Sequence, residues 1–310
     1  MKKQILTLSF IAICLSATVV SCKKDSAPDD SNANAELAIH SDDQARFSSE
    51  LDAIANDADL AIESNPGVAG RFEDVQGVIC DATLTANLAT NPMTLTIVYD
   101  GTNCLGTRTR TGTVVISVAQ GAKWKEAGTA VNITYQNLKI TRTSDSKSIT
   151  INGTQTYTNV SGGLLINLPT TASITHKITS SGLSVTFDNG TQRSWQVAKQ
   201  RVFTYNNGVV ITNTGLHTEG NVNGIAEWGT NRFGGAFTTA IREPIVLKQD
   251  CNFRITSGKI EHTNPLISGS VTFGLNAAGT PTACPGAGTY YFKLVWTGRN
   301  GGTGSIILPY

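Results

Sequence analysis

From Val78 to Tyr310 the chain alternates apolar and polar positions with a period of two. Leu183, Val185 and Phe187 alternate with Ser184 and Thr186, while Tyr290, Phe292, Leu294 and Trp296 share one phase and Tyr291, Lys293 and Val295 the other. Successive strand residues point to opposite faces, so the pattern predicts half-buried strands. Val131, Ile133 and Tyr135 keep one phase, which slips before Leu138 and Ile140. The slip predicts a β-bulge near Gln136-Asn137. The dipeptides Asp100-Gly101, Asn152-Gly153, Asn189-Gly190, Asn207-Gly208, Asn223-Gly224 and Asn300-Gly301 tolerate positive φ and predict tight hairpin turns. No amphipathic helices separate the strands, which excludes parallel βαβ units. The expected fold is all-β, with roughly a dozen or more antiparallel strands arranged as a β-sandwich or an open half-barrel.

One helix precedes the strands. Phe47, Leu51, Ile54 and Ala55 fall on one helical face between Ser41 and Ser64, and Asn65-Pro66-Gly67 stops the run. Ser41 with Gln44 predicts a capping box, and Asp42 and Asp43 suit the positive end of the helix. The apolar stripe is modest, so the helix is expected to pack against the sheet. The expected organisation is a leader over 1–21, a flexible tether over 22–40, the helix over 41–66 and one β domain over 78–310. A weak internal repeat, Cys80 to Cys104-Leu105-Gly106 against Cys251 to Cys284-Pro285-Gly286, suggests two related halves.

The N-terminus changes the picture most. Lys2 and Lys3 precede an apolar run from Ile5 to Val20, too short for a comfortable membrane span. Val19-Val20-Ser21-Cys22 resembles the lipobox of bacterial lipoproteins. That resemblance implies cleavage before Cys22, diacylation of its thiol and acylation of its new α-amine. A membrane anchor of several acyl chains follows. Residues 23 to about 35 are polar, with Pro28 and several Asp, and read as a spacer. Lys23 follows the cysteine, and the stretch to Asp30 resembles the charged tethers of Bacteroidota lipoproteins. The expected location is the outer membrane, with display at the cell surface.

The chain has 24 basic and 23 acidic residues. Removing Lys2 and Lys3 leaves 22 against 23, with no Lys/Arg run, which argues against nucleic-acid binding. Four cysteines remain besides Cys14 and Cys22, and four cysteines allow three connectivities. Cys80 and Cys104 are equidistant from Pro92 in a turn, and Cys251 and Cys284 bracket Asn264 to Gly269, which favours Cys80–Cys104 and Cys251–Cys284. No Cys-x-x-Cys or adjacent His offers a zinc site. No metal or cofactor is expected.

Several segments resemble an uncharacterised family of Bacteroidota surface lipoproteins. Tyr99-Asp100-Gly101-Thr102-Asn103-Cys104 followed by Gly106-Thr107-Arg108-Thr109-Arg110-Thr111-Gly112 is similar to its Cys–Gly–Arg-Thr-Arg-x-Gly segment. Gly229-Thr230-Asn231-Arg232-Phe233-Gly234 and Cys251 through Ser257-Gly258 match in order and spacing. Ala277-Ala278-Gly279 and Cys284-Pro285 depart from the acidic pairing expected there. The resemblance supplies no established activity and no catalytic residue.

Candidate chemistry is sparse. His40, His176, His217 and His262 form no recognised catalytic or metal spacing and read as surface or turn residues. Glu219, Glu227, Glu243 and Glu261 read as solvated strand faces, with no two singled out as a glycosidase pair. Arg108 and Arg110 share a strand face, as do Arg193 and Trp195. These four are the candidate ligand platform, suited to a glycan or an anion through guanidinium hydrogen bonds and aromatic stacking. Trp124, between Lys123 and Lys125, reads as exposed on a loop. The leading expectation is a non-catalytic, membrane-tethered module that binds a glycan or an envelope protein or serves a structural role. The alternatives are a secreted glycan-active hydrolase and a lipid-sheltering open half-barrel.

Overall fold

Strand follows strand from Ala82 to Pro309. The computed structural model describes residues 30–70, 79–180, 182–264, 268–284, 289–297 and 302–310. The helix α1 (Asp30–Ser64) and a short helix α2 (Pro66–Ala69) come first. The strands are β1 (Ala82–Asn87), β2 (Met93–Thr102), β3 (Arg108–Val118), β4 (Thr129–Arg142), β5 (Ser148–Asn159), β6 (Ile174–Ser180), β7 (Leu183–Phe187), β8 (Gln192–Tyr205), β9 (Val209–Gly215), β10 (His217–Glu219), β11 (Val222–Thr230), β12 (Ala236–Lys248), β13 (Arg254–Thr263), β14 (Ser268–Leu275), β15 (Tyr291–Thr297) and β16 (Thr303–Pro309).

All sixteen strands belong to one antiparallel sheet. β6 and β7 both pair antiparallel with β5 and β8, so they share a single strand course. β9 and β11 likewise share the space between β8 and β12, and β10 is a short excursion paired to β11. The result is an up-and-down meander, in which each course pairs with its neighbours in sequence. β1 and β16 stand at opposite ends and do not pair with each other.

The sheet curls around α1. Within one helical turn Glu50 bonds Arg108 on β3, while Ser48 bonds Glu227 on β11. Five strand spacings separate β3 from β11, about 24 Å in a flat sheet, whereas a helix with its side chains is ~10–12 Å across. One helix reaches both strands because the sheet wraps it. This is the open half-barrel form rather than two stacked sheets. Burial agrees: inward residues of the central strands are buried and alternate with partly or fully exposed ones, as in β2 and β7.

α1 begins eleven residues before the expected Ser41, so 30–40 is helical rather than a flexible tether. Ala, Glu and Leu in that stretch favour helix, and Leu37 is buried against the sheet. Ser41 is therefore a buried mid-helix residue, not a cap. The stop at Asn65-Pro66-Gly67 is real: Asn65 accepts a bond from Val68 N at 3.3 Å and caps α2, which ends on left-handed Gly70. No residue from His40 to Gly70 is exposed. Phe47, Ile54, Ala58 and Ile62 pack on β2–β5 and form one apolar cluster. Leu37 joins a second, across the helix, with Phe203, Ile255, Phe273 and Phe292.

The bulge lies where the phase slip placed it. The β4–β5 register shifts between Tyr135 and Leu138, and Asn137 has φ 50°. Asn189-Gly190 and Asn207-Gly208 form hairpin turns, but Asp100-Gly101, Asn152-Gly153 and Asn223-Gly224 lie inside strands. Gly153 sits opposite Tyr135 at the edge of the bulge, with φ 117°. Long strands that bend around a helix need such residues where backbones approach closely. Asn300-Gly301 lies outside the described residues.

Candidate functional site

The polar residues of α1 are buried along with its apolar ones, and the sheet supplies their partners. Near its start, His40 Nε2 lies 3.3 Å from His262 Nδ1, which is also 3.3 Å from Thr239 Oγ1. The His40 ring packs on Phe237 and stacks near Trp195. Burial lowers the pKa of both imidazoles, that of His262 to about 4, and the neighbouring Arg232 charge adds to the effect on His40. Asp43 accepts two bonds of 2.6 Å from Arg232 and one of 2.9 Å from Arg46.

One turn further along, Glu227 gathers four partners. Ser48 donates to Oε1, Lys199 Nζ lies 2.6 Å from the same oxygen, and Trp195 Nε1 and Gln44 Nε2 approach Oε2 at 3.2 and 3.4 Å. Burial works against the Lys199 ammonium, but Glu227 and Asp52 outweigh it and hold the lysine above its ordinary pKa. Asp52 accepts from Asn213 Nδ2 at 3.0 Å. These residues line a cavity of about 30 Å³ whose opposite wall is Ile241, Ile245, Ile255, Ile260 and Phe273.

Toward the end of α1, Arg110 bridges helix and sheet. It donates to both Asp81 oxygens at 2.6 and 2.5 Å and to Asp57 at 2.7 Å, and its guanidinium lies over the Tyr99 ring. Arg108 donates to Glu50 at 2.7 Å. Burial raises the pKa of Glu50 and Asp57 against the pull of these arginines. Asp59 faces His176 at 3.3 Å and Arg201 at 3.6 Å. Glu63 accepts from the backbone N–H groups of Leu165 and Ile166.

The expected ligand platform is therefore not a surface. Arg108 and Arg110 do share a face, but it is the inner face, and α1 carboxylates occupy both. Trp195 is fully buried against Phe47 and Phe237. Arg193 bonds the carbonyl oxygens of Asn231 and Arg232 and orders the β11–β12 loop. His40, His176 and His262 are buried, not surface residues: His176 and His262 project from the sheet face that α1 covers, and His40 projects from α1 toward that face. Trp124 is also buried. Its backbone N–H bonds Val68 O, which folds the loop under α2 and lays the indole against His176 at 5.0 Å.

Cys80–Cys104 and Cys251–Cys284 are paired, with Cα–Cα distances of 5.4 and 5.2 Å. Asp250 lies beside the second pair, whose sulfurs are committed to each other. Cys22 and the leader lie outside the described residues. Lys199, Arg201 and Asn213 escaped the reading of the sequence, and Glu227, expected on a solvated strand face, is buried. A signal was present: Trp195, Val197, Lys199, Arg201 and Phe203 share one phase of β8, placing two cations on an apolar stripe. Such cations need buried partners. Comparison with protein-family models, with curated proteins and with solved structures gives no match.

Proposed function

We propose that the chain is a lipid-anchored, non-catalytic binding module of the outer membrane, held through Cys22 and presenting the outer face of its sheet to a glycan. The observation that carries this reading is that the protein's own helix occupies the concave face. A ligand then meets the convex face, which carries hydroxyls and amides. Thr134 and Thr154 pair across β4 and β5, as do Thr156 and Asn132, at 3.1 and 3.0 Å. Trp228 projects from the same side of β11 and stacks on His217, rings 4.1 Å apart and 16° from parallel. Hydroxyls, amides and a partly exposed aromatic suit the polar rim and apolar face of a sugar ring.

The lipid-sheltering alternative needs the space that α1 fills. The hydrolase alternative needs two carboxyl groups across an open cleft. Asp57 and Asp81 share Arg110 instead, and Asp52 and Glu227, which line the buried cavity, are held by Asn213 and by Lys199.

The test has two arms. Cys22→Ala should shift the protein from the membrane to the soluble fraction as a folded domain with both disulfides. Retention on membranes would reject the anchor. On a glycan array the wild-type protein should bind a subset of glycans and Trp228→Ala should bind none. Silence of the wild-type protein would withdraw the glycan and leave an envelope-structural role.

A further inference from the structure

Lys199 on β8, Asn213 on β9 and Glu227 on β11 line one cavity, and all three are buried. Register explains the meeting. Arg201 stands opposite Asn213 and Lys199 opposite Gly215, so Lys199 and Asn213 are diagonal neighbours on the inner face. Diagonal neighbours lie ~7–8 Å apart at Cα, within reach of a long side chain. The residue directly opposite Lys199 carries no side chain to obstruct it. Lys199 Nζ is 2.6 Å from Glu227 Oε1. Asn213 Nδ2 donates to Asp52 Oδ2 at 3.0 Å, which orients the amide and leaves Oδ1 as a buried acceptor without a partner. Ile245, Ile255, Ile260 and Phe273 wall the other side and limit water.

We propose that Lys199 and Asn213 react to form an intramolecular isopeptide bond. A buried amine, a buried carboxamide and a carboxylate bonded to the amine are the parts such a transamidation requires. Glu227 takes a proton from the Lys199 ammonium. The neutral amine attacks Cγ of Asn213, forming a C–N bond and placing negative charge on Oδ1. Protonated Glu227 then gives its proton to the departing Nδ2, the Cγ–Nδ2 bond breaks, and Glu227 regains a proton from the new amide nitrogen. That proton finally converts the released ammonia to ammonium, so one ammonium ion leaves for the one that entered. No oxidant, metal or cofactor enters the balance. Asp52 steadies the departing nitrogen throughout. Fixed neighbours in a site poor in water supply the effective concentration and suppress hydrolysis. The bond staples β8 to β9 in the middle of the meander.

The experiment is tryptic mapping of the full-length protein after reduction of its disulfides. The bond blocks cleavage at Lys199. The expected product joins Ser194–Arg201 to Val202–Arg232, lighter than the two peptides together by one ammonia, with fragment ions placing the branch at Lys199 and Asn213. A simple missed cleavage would instead subtract one water. Lys199→Arg and Asn213→Ala, shown to be folded by circular dichroism, should lack the branched product. Glu227→Gln should form it more slowly or not at all. Full recovery of the separate Ser194–Lys199 and Val202–Arg232 peptides from folded wild-type protein would overturn the proposal. A branch that persisted at the wild-type level in folded Glu227→Gln would overturn the role of Glu227.

Discussion

His40 on the helix and His262 on β13 meet ring to ring, with Nε2 and Nδ1 3.3 Å apart and the outer nitrogen of each without a partner. A charge on either ring would be buried among aromatic faces, and on His40 it would also face the Arg232 charge. The pair is therefore neutral in the folded protein, and its stability depends on pH.

The sign follows from proton uptake. Burial lowers His262 from 6.5 to about 4, so between those values the unfolded chain binds a proton that the folded one refuses. Stability is flat above pH 6.5 and falls as the pH drops toward about 4, by up to about 3 kcal/mol from this residue. Glu50 and Asp57, raised by burial, work in the opposite direction at the acid end because the fold takes up their protons first. Thermal melts between neutral pH and pH 4.5 should show the loss, and His262→Gln should flatten it. Equal slopes in the two proteins would rule out this account.

Arg110 holds a carboxylate from the helix and one from the start of the sheet. Arg110→Met strands Asp81, whose side chain is fully buried, and should cost about 3–5 kcal/mol in urea unfolding. Arg193→Ala removes only bonds to the backbone carbonyls of Gln192, Asn231 and Arg232 and should cost about 1 kcal/mol. A similar small loss at both positions would contradict the bridging role of Arg110.

Phe47 is fully buried between the helix and Trp195. Phe47→Ala should destabilise by about 3–5 kcal/mol, through lost burial and the cavity left behind. Truncating half-exposed Tyr205 should be nearly silent. Chemical denaturation of the two variants tests the contrast.

Gly112 has φ 114° and lies against the Asn137 carbonyl at the bulge, where a Cβ would collide. Gly112→Ala should cost about 1–3 kcal/mol from the dihedral alone, and more from the collision. Gly106 has φ 68° but open space around it. Gly106→Ala should be the milder of the two by melting temperature.

Much of the fold was legible along the chain. The phase slip at Gln136-Asn137 marked the bulge because one extra residue reverses every later side chain. The cysteine pairs were legible because each pair flanks a turn and so comes to one end of a hairpin, although the β1–β2 register is not centred on Pro92. The turn dipeptides misled at Asp100, Asn152 and Asn223, since a residue that permits positive φ serves a bent strand as well as a hairpin. The candidate site was legible only in part. Arg108 and Arg110 were correctly placed on one face, but alternation identifies a face without saying what covers it.

The sequence by itself pointed to an antiparallel all-β fold with its bulge and favoured the two cysteine pairs, because period, turn chemistry and cysteine spacing act between near neighbours. Only the tertiary structure decided that one helix fills the curled sheet. That placement turned Glu227, read as solvated, and Arg108 and Arg110, read as a platform, into members of buried pairs, while Glu219 and Glu243 stay exposed as expected. Strand register brought Lys199, Asn213 and Glu227 to one cavity, which the helix closes with Gln44, Ser48 and Asp52. Charges on an apolar stripe signal a buried partner, but Arg201 finds Asp59 and Asn56 more than a hundred residues away, and only closure of the sheet around the helix selects them.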